Sequence, residues 1–243
     1  MRTRPVARGA RSPGRRRWRA RRRKARARCE DGSLVSSALA FRRYAAVWAP
    51  LVSGLLIVAA FFLDPDIGAS GRELAREYAE NPGRIQLSAL ALRFAFAFLI
   101  VPTFVLIWLA RRRGAWLANV AGVFAVLGMT TLPGILLIDF YDVAIYGELG
   151  GDAWEQVNDR LEELPGATFL FITAFLGFVI APPTALLAAW RARVLSWWPA
   201  AAVAVGEIAG QAIPGGVGLL VLAASLIALT YALARMPWAP PHM

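Results

Sequence analysis

The sequence predicts an all-α membrane protein: six transmembrane helices forming three hairpins, both termini cytoplasmic, and two short extracytoplasmic amphipathic helices. Three observations carry this. First, 58% of the 243 residues are hydrophobic and the mean hydropathy is +0.50, above the roughly 45–50% apolar content of soluble domains. Second, the apolar residues fall into runs of the roughly 20 residues that cross about 30 Å of hydrocarbon. Third, charge is sorted by loop, with arginines joining one side of the runs and carboxylates the other. The formal net charge of +11 does not describe this body, because residues 1–28 hold 14 of the 27 Lys+Arg. Residues 35–243 carry 13 cations and 14 acids, a net of −1.

The chain begins with an Arg-rich segment, 1–34, containing Arg15-Arg16-Arg17 and Arg21-Arg22-Arg23-Lys24 with Trp18 as its aromatic residue. It cannot bury a core and is expected to be a disordered cytoplasmic tail. Three readings stay open for it: contact with anionic lipid of the inner leaflet, non-specific nucleic-acid binding, and a segment that is not native. The last follows because Arg, Ala, Gly and Pro are what GC-rich DNA encodes in many frames, and a start near Val35 leaves an ordinary short N-terminus. Nucleic acid is the least favoured of the three.

The predicted spans are 44–63, 88–110, 115–138, 167–190, 196–213 and 217–234. The first is too long for a signal-peptide core of 7–15 residues and lacks a small-residue cleavage site before Asp64, so it reads as a retained anchor. Arg42-Arg43 lacks the rest of a twin-arginine pattern. The last two runs are separated by Pro214-Gly215-Gly216, a turn signal; a re-entrant final hairpin is the alternative. Pro102 and Pro133 should kink the second and third spans, and Pro182-Pro183 the fourth.

Orientation follows from cationic loops, which stay cytoplasmic. Arg42, Arg43, Arg111, Arg112, Arg113, Arg191, Arg193 and Arg235 share one side with no acid, whereas 64–86 and 139–166 hold 13 acids and four arginines. Trp108, Trp116, Trp190, Trp197 and Trp198 accompany the inner arginines, as interfacial indoles do.

The outer segments echo one another. Ser70-Gly71-Arg72-Glu73 and Asp152-Ala153-Trp154-Glu155 have capping-box spacing, and Pro82-Gly83 and Pro165-Gly166 end the helices they open. Leu74 and Tyr78 align with Val157 and Leu161, each pair at i, i+4 on one face. Both helices are amphipathic, with an apolar side for the bundle or the outer leaflet. The first two hairpins read as copies of one unit or as two independent solutions of the same junction. Because the hairpins share one orientation, this is not the inverted repeat of several transporter families.

Residue supply narrows the chemistry. His242 is the one histidine and Cys29 the one cysteine, which leaves no nucleophile–base pair, disulfide or metal cluster, and no P-loop is present. No cofactor or metal is expected. Two ionisable residues remain inside spans, where charge is costly and marks function by default. Arg93 and Glu207 each lie about 9 Å below the outer surface at 1.5 Å per residue. Gln211 follows Glu207 at i+4, while Thr173 and Thr130 reach depths of about 9 and 12 Å. If they converge, the five form a polar chamber open to the outside, with Arg93 and Glu207 as ion pair or ligand contacts. Alternatively, Arg93 snorkels to headgroups and the threonines bond their own i−4 carbonyls. Gly206 and Gly210 form a GxxxG that permits close approach of a helix partner.

In general plan the chain resembles six-span bacterial inner-membrane proteins, and no motif assigns it to a particular family. The leading functional expectation is a non-catalytic scaffold or envelope-complex partner in the cytoplasmic membrane. The alternative is a transporter or small-ligand receptor using the chamber around Arg93 and Glu207. A lipid enzyme using the outer carboxylates is a third, disfavoured by the missing general base.

Overall fold

The computed structural model describes residues 13–64, 71–110, 113–135, 137–213, 216–236 and 238, with side chains from 37 onward except those of 129, 130 and 133. It is all-helical. The chain divides into a unit of Met1–Arg43 and a unit of Tyr44–Met243; the disordered-tail expectation falls in the first, where residues 1–12 and all side chains up to 36 lie outside the described residues. The account below concerns the second.

Helices occupy α1 (Pro13–Leu63), α2 (Gly71–Glu80), α3 (Pro82–Ala110), α4 (Ala115–Ile135), α5 (Ile138–Leu149), α6 (Gly151–Glu163), α7 (Pro165–Arg191), α8 (Trp198–Ala212) and α9 (Val217–Ala234). Four stretches are long and apolar enough to cross a membrane: Ser37–Leu63, Pro82–Ala110, Pro165–Arg191 and Val217–Ala234. This is the pattern of a multi-pass membrane protein. The 15 residues of α8 extend only about 22 Å, shorter than the predicted 196–213, and the predicted third span stops at Ile135.

Both prolines expected to stop an amphipathic helix follow its end, at Glu80 and Glu163, and each also starts the next helix. Pro82 and Pro165 are the first residues of α3 and α7, where a missing N–H costs nothing and a fixed φ suits the helix. Asn81 closes α2, its side-chain amide donating to the Glu77 carbonyl at 3.2 Å. The capping box predicted at Asp152 does not form: α6 begins one residue earlier, and its cap position is Gly150 at φ 82, with no side-chain cap. Ser70, Pro214 and Gly215 lie outside the described residues.

The core joins six helices through Ile57, Leu99, Leu106, Ala121, Leu186, Val203, Leu222 and Leu226. Small residues set its closest approaches. A Cβ on Gly177 would enter the backbone of Gly128, so α4 and α7 touch main chain to main chain. A Cβ on Gly206 would strike the Ser225 hydroxyl, and one on Gly218 the Ala209 carbonyl. The predicted GxxxG therefore packs α8 on the chain's own α9. Near the C-terminal end of α1, Ser88 donates to the Ala60 carbonyl at 3.0 Å, and Arg84 to the Phe62 carbonyl at 3.3 Å. Phe96 and Phe178 meet edge to face at 4.5 Å, tying α3 to α7.

Candidate functional site

Of the predicted site residues whose side chains are described, Glu207 alone is buried. It is 0% exposed, and neither carboxylate oxygen has a hydrogen-bond partner among the described residues. Helix rotation explains the burial: Glu207 lies four residues beyond the buried Val203, about 40° away around the axis. Arg93 is exposed, and Glu207 accepts nothing from it. Depth alone was a poor guide here, because Arg93 is two residues from both Ala91 and Ala95, the packed face of α3, hence about 200° around the helix from each. Gln211 is exposed in the last turn of α8. Thr173 donates to its own Phe169 carbonyl at 2.6 Å, the local i−4 alternative. The Thr130 side chain lies outside the described residues. The arrangement does not join Arg93 and Glu207 in an ion pair.

A different cavity lies where α4 ends and α7 begins, covered by α5 and α6. Its volume is about 390 Å³, and its walls include Ile135, Ile138, Ile145, Val157, Leu161 and Leu170. The polar lining is Thr131, Tyr141, Asp142, Trp154 and Asn158. The sequence reading missed α5 and treated 139–150 as loop, although Ile138, Tyr141 and Ile145 recur at helical spacing and turn one face to the cavity. The glycine at 150 makes the corner between α5 and α6: its φ of 82 is left-handed, the region glycine enters without a Cβ penalty.

That corner folds α6 back so that the Trp154 indole N–H donates to Asp142 Oδ1 at 2.7 Å. Trp154 is the buried residue of α6, and Val157 and Leu161 line the cavity on the same face, as their spacing predicted. On the far side of α6, Arg72 of α2 bonds both Asp152 and Glu155. Arg72 is thereby held more strongly protonated than a free guanidinium, first by the Asp152 bond and then by the Glu155 charge. The three helices form a cap, with Ala75 and Tyr78 buried on α2.

The cap holds two perturbed carboxyls. Burial pushes Asp139 up to about 6, with Asp142 and Asp64 adding repulsion in the same direction. Burial also raises Asp142, and the Trp154 bond partly opposes it. Among the described residues no group of three or more His, Cys, Asp or Glu is placed to hold a metal ion. A volume of this size, mostly apolar with a few convergent polar groups, is what small-molecule sites have in common, at about 300–1,000 Å³. No family model, curated protein or solved structure matches the chain.

Proposed function

We propose that the chain is a non-catalytic six-span protein of the cytoplasmic membrane, N-in and C-in, that works as a small-ligand receptor through the cavity beneath its extracytoplasmic cap. The scaffold and receptor readings share this topology; the observation that favours the receptor is the cavity of about 390 Å³ with the Trp154–Asp142 bond in its lining. In this reading the site belongs to the cap and not to the layer around Arg93 and Glu207. The six-span count takes α4 and the short α8 as spans, which places every acid-rich segment on one side and the arginine loops on the other.

Gly134 supplies the test. It lines the cavity, and a Cβ there meets nothing within 4 Å, so Gly134→Phe fills the space with little strain. Protein extracted in native lipid discs and analysed by native mass spectrometry is expected to carry a bound small molecule, which the Gly134→Phe variant loses. Equal occupancy in both proteins, or none in the wild type, overturns the reading.

A second reading rests on Glu207, whose buried carboxylate has no partner among the described residues: transport of a proton or cation through the bundle. Flux into liposomes that Glu207→Gln abolishes would support it, and flux unchanged by that substitution would remove it.

A further inference from the structure

We propose that the ligand of the cap cavity is a lipid of the outer leaflet with a primary ammonium head, its ammonium on Asp142 and one hydrocarbon chain along the wall formed by α7. The proposal rests on the receptor reading above and names the class of ligand.

Three features of the cavity select this chemistry. The first is charge. Asp142 is the one ionisable carboxylate in the lining, and no Lys or Arg is among the lining residues. Asp139 stands one turn away on α5, and Arg72 is engaged by Asp152 and Glu155 on the other side of α6. The local field therefore favours a cation and disfavours a carboxylate or phosphate placed against α5.

The second feature is hydrogen bonding. Trp154 occupies Asp142 Oδ1, and the Thr131 hydroxyl donates to the Leu127 carbonyl at 2.8 Å. Asp142 Oδ2 and the Asn158 amide remain to receive a ligand, with no bond to them among the described residues. A primary ammonium has three donors to offer such acceptors, whereas a quaternary one has none. Burial raises Asp142 toward its neutral form, and an arriving ammonium would draw it back to the carboxylate.

The third feature is the wall. Leu170 and Phe171 line the cavity yet remain 48% and 40% exposed, continuous with Phe169 at 66% and Ile172 at 52%. They belong to the first two turns of α7, which the six-span reading places at the level of the outer leaflet. A cavity whose apolar wall continues into lipid admits its ligand sideways from the bilayer. At about 390 Å³ it stands near the low end of ligand pockets, with room for a head or one chain but not for a whole two-chain lipid.

The test uses full-length protein in a neutral detergent and three lysophospholipids with the same lauroyl chain, carrying ethanolamine, choline or glycerol heads. Binding is read from the shift of the thermal midpoint on titration. Lysophosphatidylethanolamine is expected to bind about tenfold more tightly than the glycerol lipid, a difference typical of one charge-assisted hydrogen bond, with the choline lipid between them. Asp142→Asn preserves an acceptor for Trp154, so the cap still closes, and the preference should fall to a ratio near one. Gly134→Phe should abolish the response to all three. Equal binding of the three heads to the wild type, or a preference that survives Asp142→Asn, overturns the proposal. If no lysolipid shifts the midpoint while the native-disc extract still carries a molecule that Gly134→Phe displaces, the ammonium-lipid class is wrong and the receptor reading stands. If that molecule is missing too, both fall.

Discussion

The bundle and its cap are built on opposite principles. In the bundle, helices meet through small residues, so Gly128 and Gly177 bring α4 and α7 into backbone contact and Gly206 seats α8 on Ser225 of α9. Little space remains there, and the Glu207 carboxyl is enclosed with no partner among the described residues. In the cap, helices are held by directed polar contacts: Arg72 to Asp152 and Glu155, and Trp154 to Asp142. Those contacts hold α6 over α4 and α7 without filling the gap beneath, and the gap is the cavity. Close packing specifies the bundle, and polar bonding in the cap leaves a cavity beneath it.

The comparison breaks first in the bundle. Gly177→Leu forces a side chain into the Gly128 backbone and is expected to cost about 3 kcal/mol or more, the upper range for overpacking. Thermal unfolding in detergent reads this directly, and an unchanged midpoint would deny that α4 and α7 touch main chain to main chain.

Asp139 sharpens the contrast from the cap side. Its carboxyl is held up at about 6 by burial, with Asp142 and Asp64 adding repulsion, so the folded protein binds a proton more tightly than the unfolded chain between about pH 4 and 6. Stability should therefore be greatest below about pH 4 as far as this group is concerned, and fall as the pH rises through 6. Asp139→Asn should remove that dependence and stabilise the protein at pH 7 by about 3 kcal/mol, with little difference at pH 4. A wild type and variant with parallel pH profiles would contradict it.

Smaller effects test the polar latch. Trp154→Phe keeps most of the apolar surface and loses the bond to Asp142, at an expected cost of about 1.5 kcal/mol for a hydrogen bond to a charged group. Hydrogen exchange should show faster opening of α5 and α6 with α8 and α9 unchanged. The Arg72 pairs are exposed, so Arg72→Ala should change the midpoint least, and the change should shrink in high salt. A large, salt-independent loss would mean that Arg72 closes the cap by packing.

Legibility in the sequence followed the same division. The last apolar helix is read to the residue, 217–234, because its run of apolar residues has sharp ends at Gly216 and Arg235. Both amphipathic helices are placed to within a residue or two by their prolines and apolar faces. The α5 helix escapes, since its short apolar spacing is overlaid by Asp139, Asp142 and Glu148 and follows directly on the apolar α4. The Trp154–Asp142 contact escapes as well, because it depends on the corner at Gly150 and not on any spacing along one helix. For Arg93 and Glu207 the sequence supplies depth, and rotation decides contact. The alanines at 91 and 95 carry that rotational signal for Arg93, and Val203 carries it for Glu207.

The central claim is that the cap and its cavity face outward while the arginine loops face the cytoplasm. In a Cys29→Ser background, single cysteines at Asp159→Cys on α6 and Arg113→Cys before α4 can be labelled in intact cells with a membrane-impermeant maleimide. The account predicts that position 159 reacts in intact cells and that position 113 reacts only after permeabilisation. Reaction of 113 in intact cells, or protection of 159 until the membrane is opened, would contradict it.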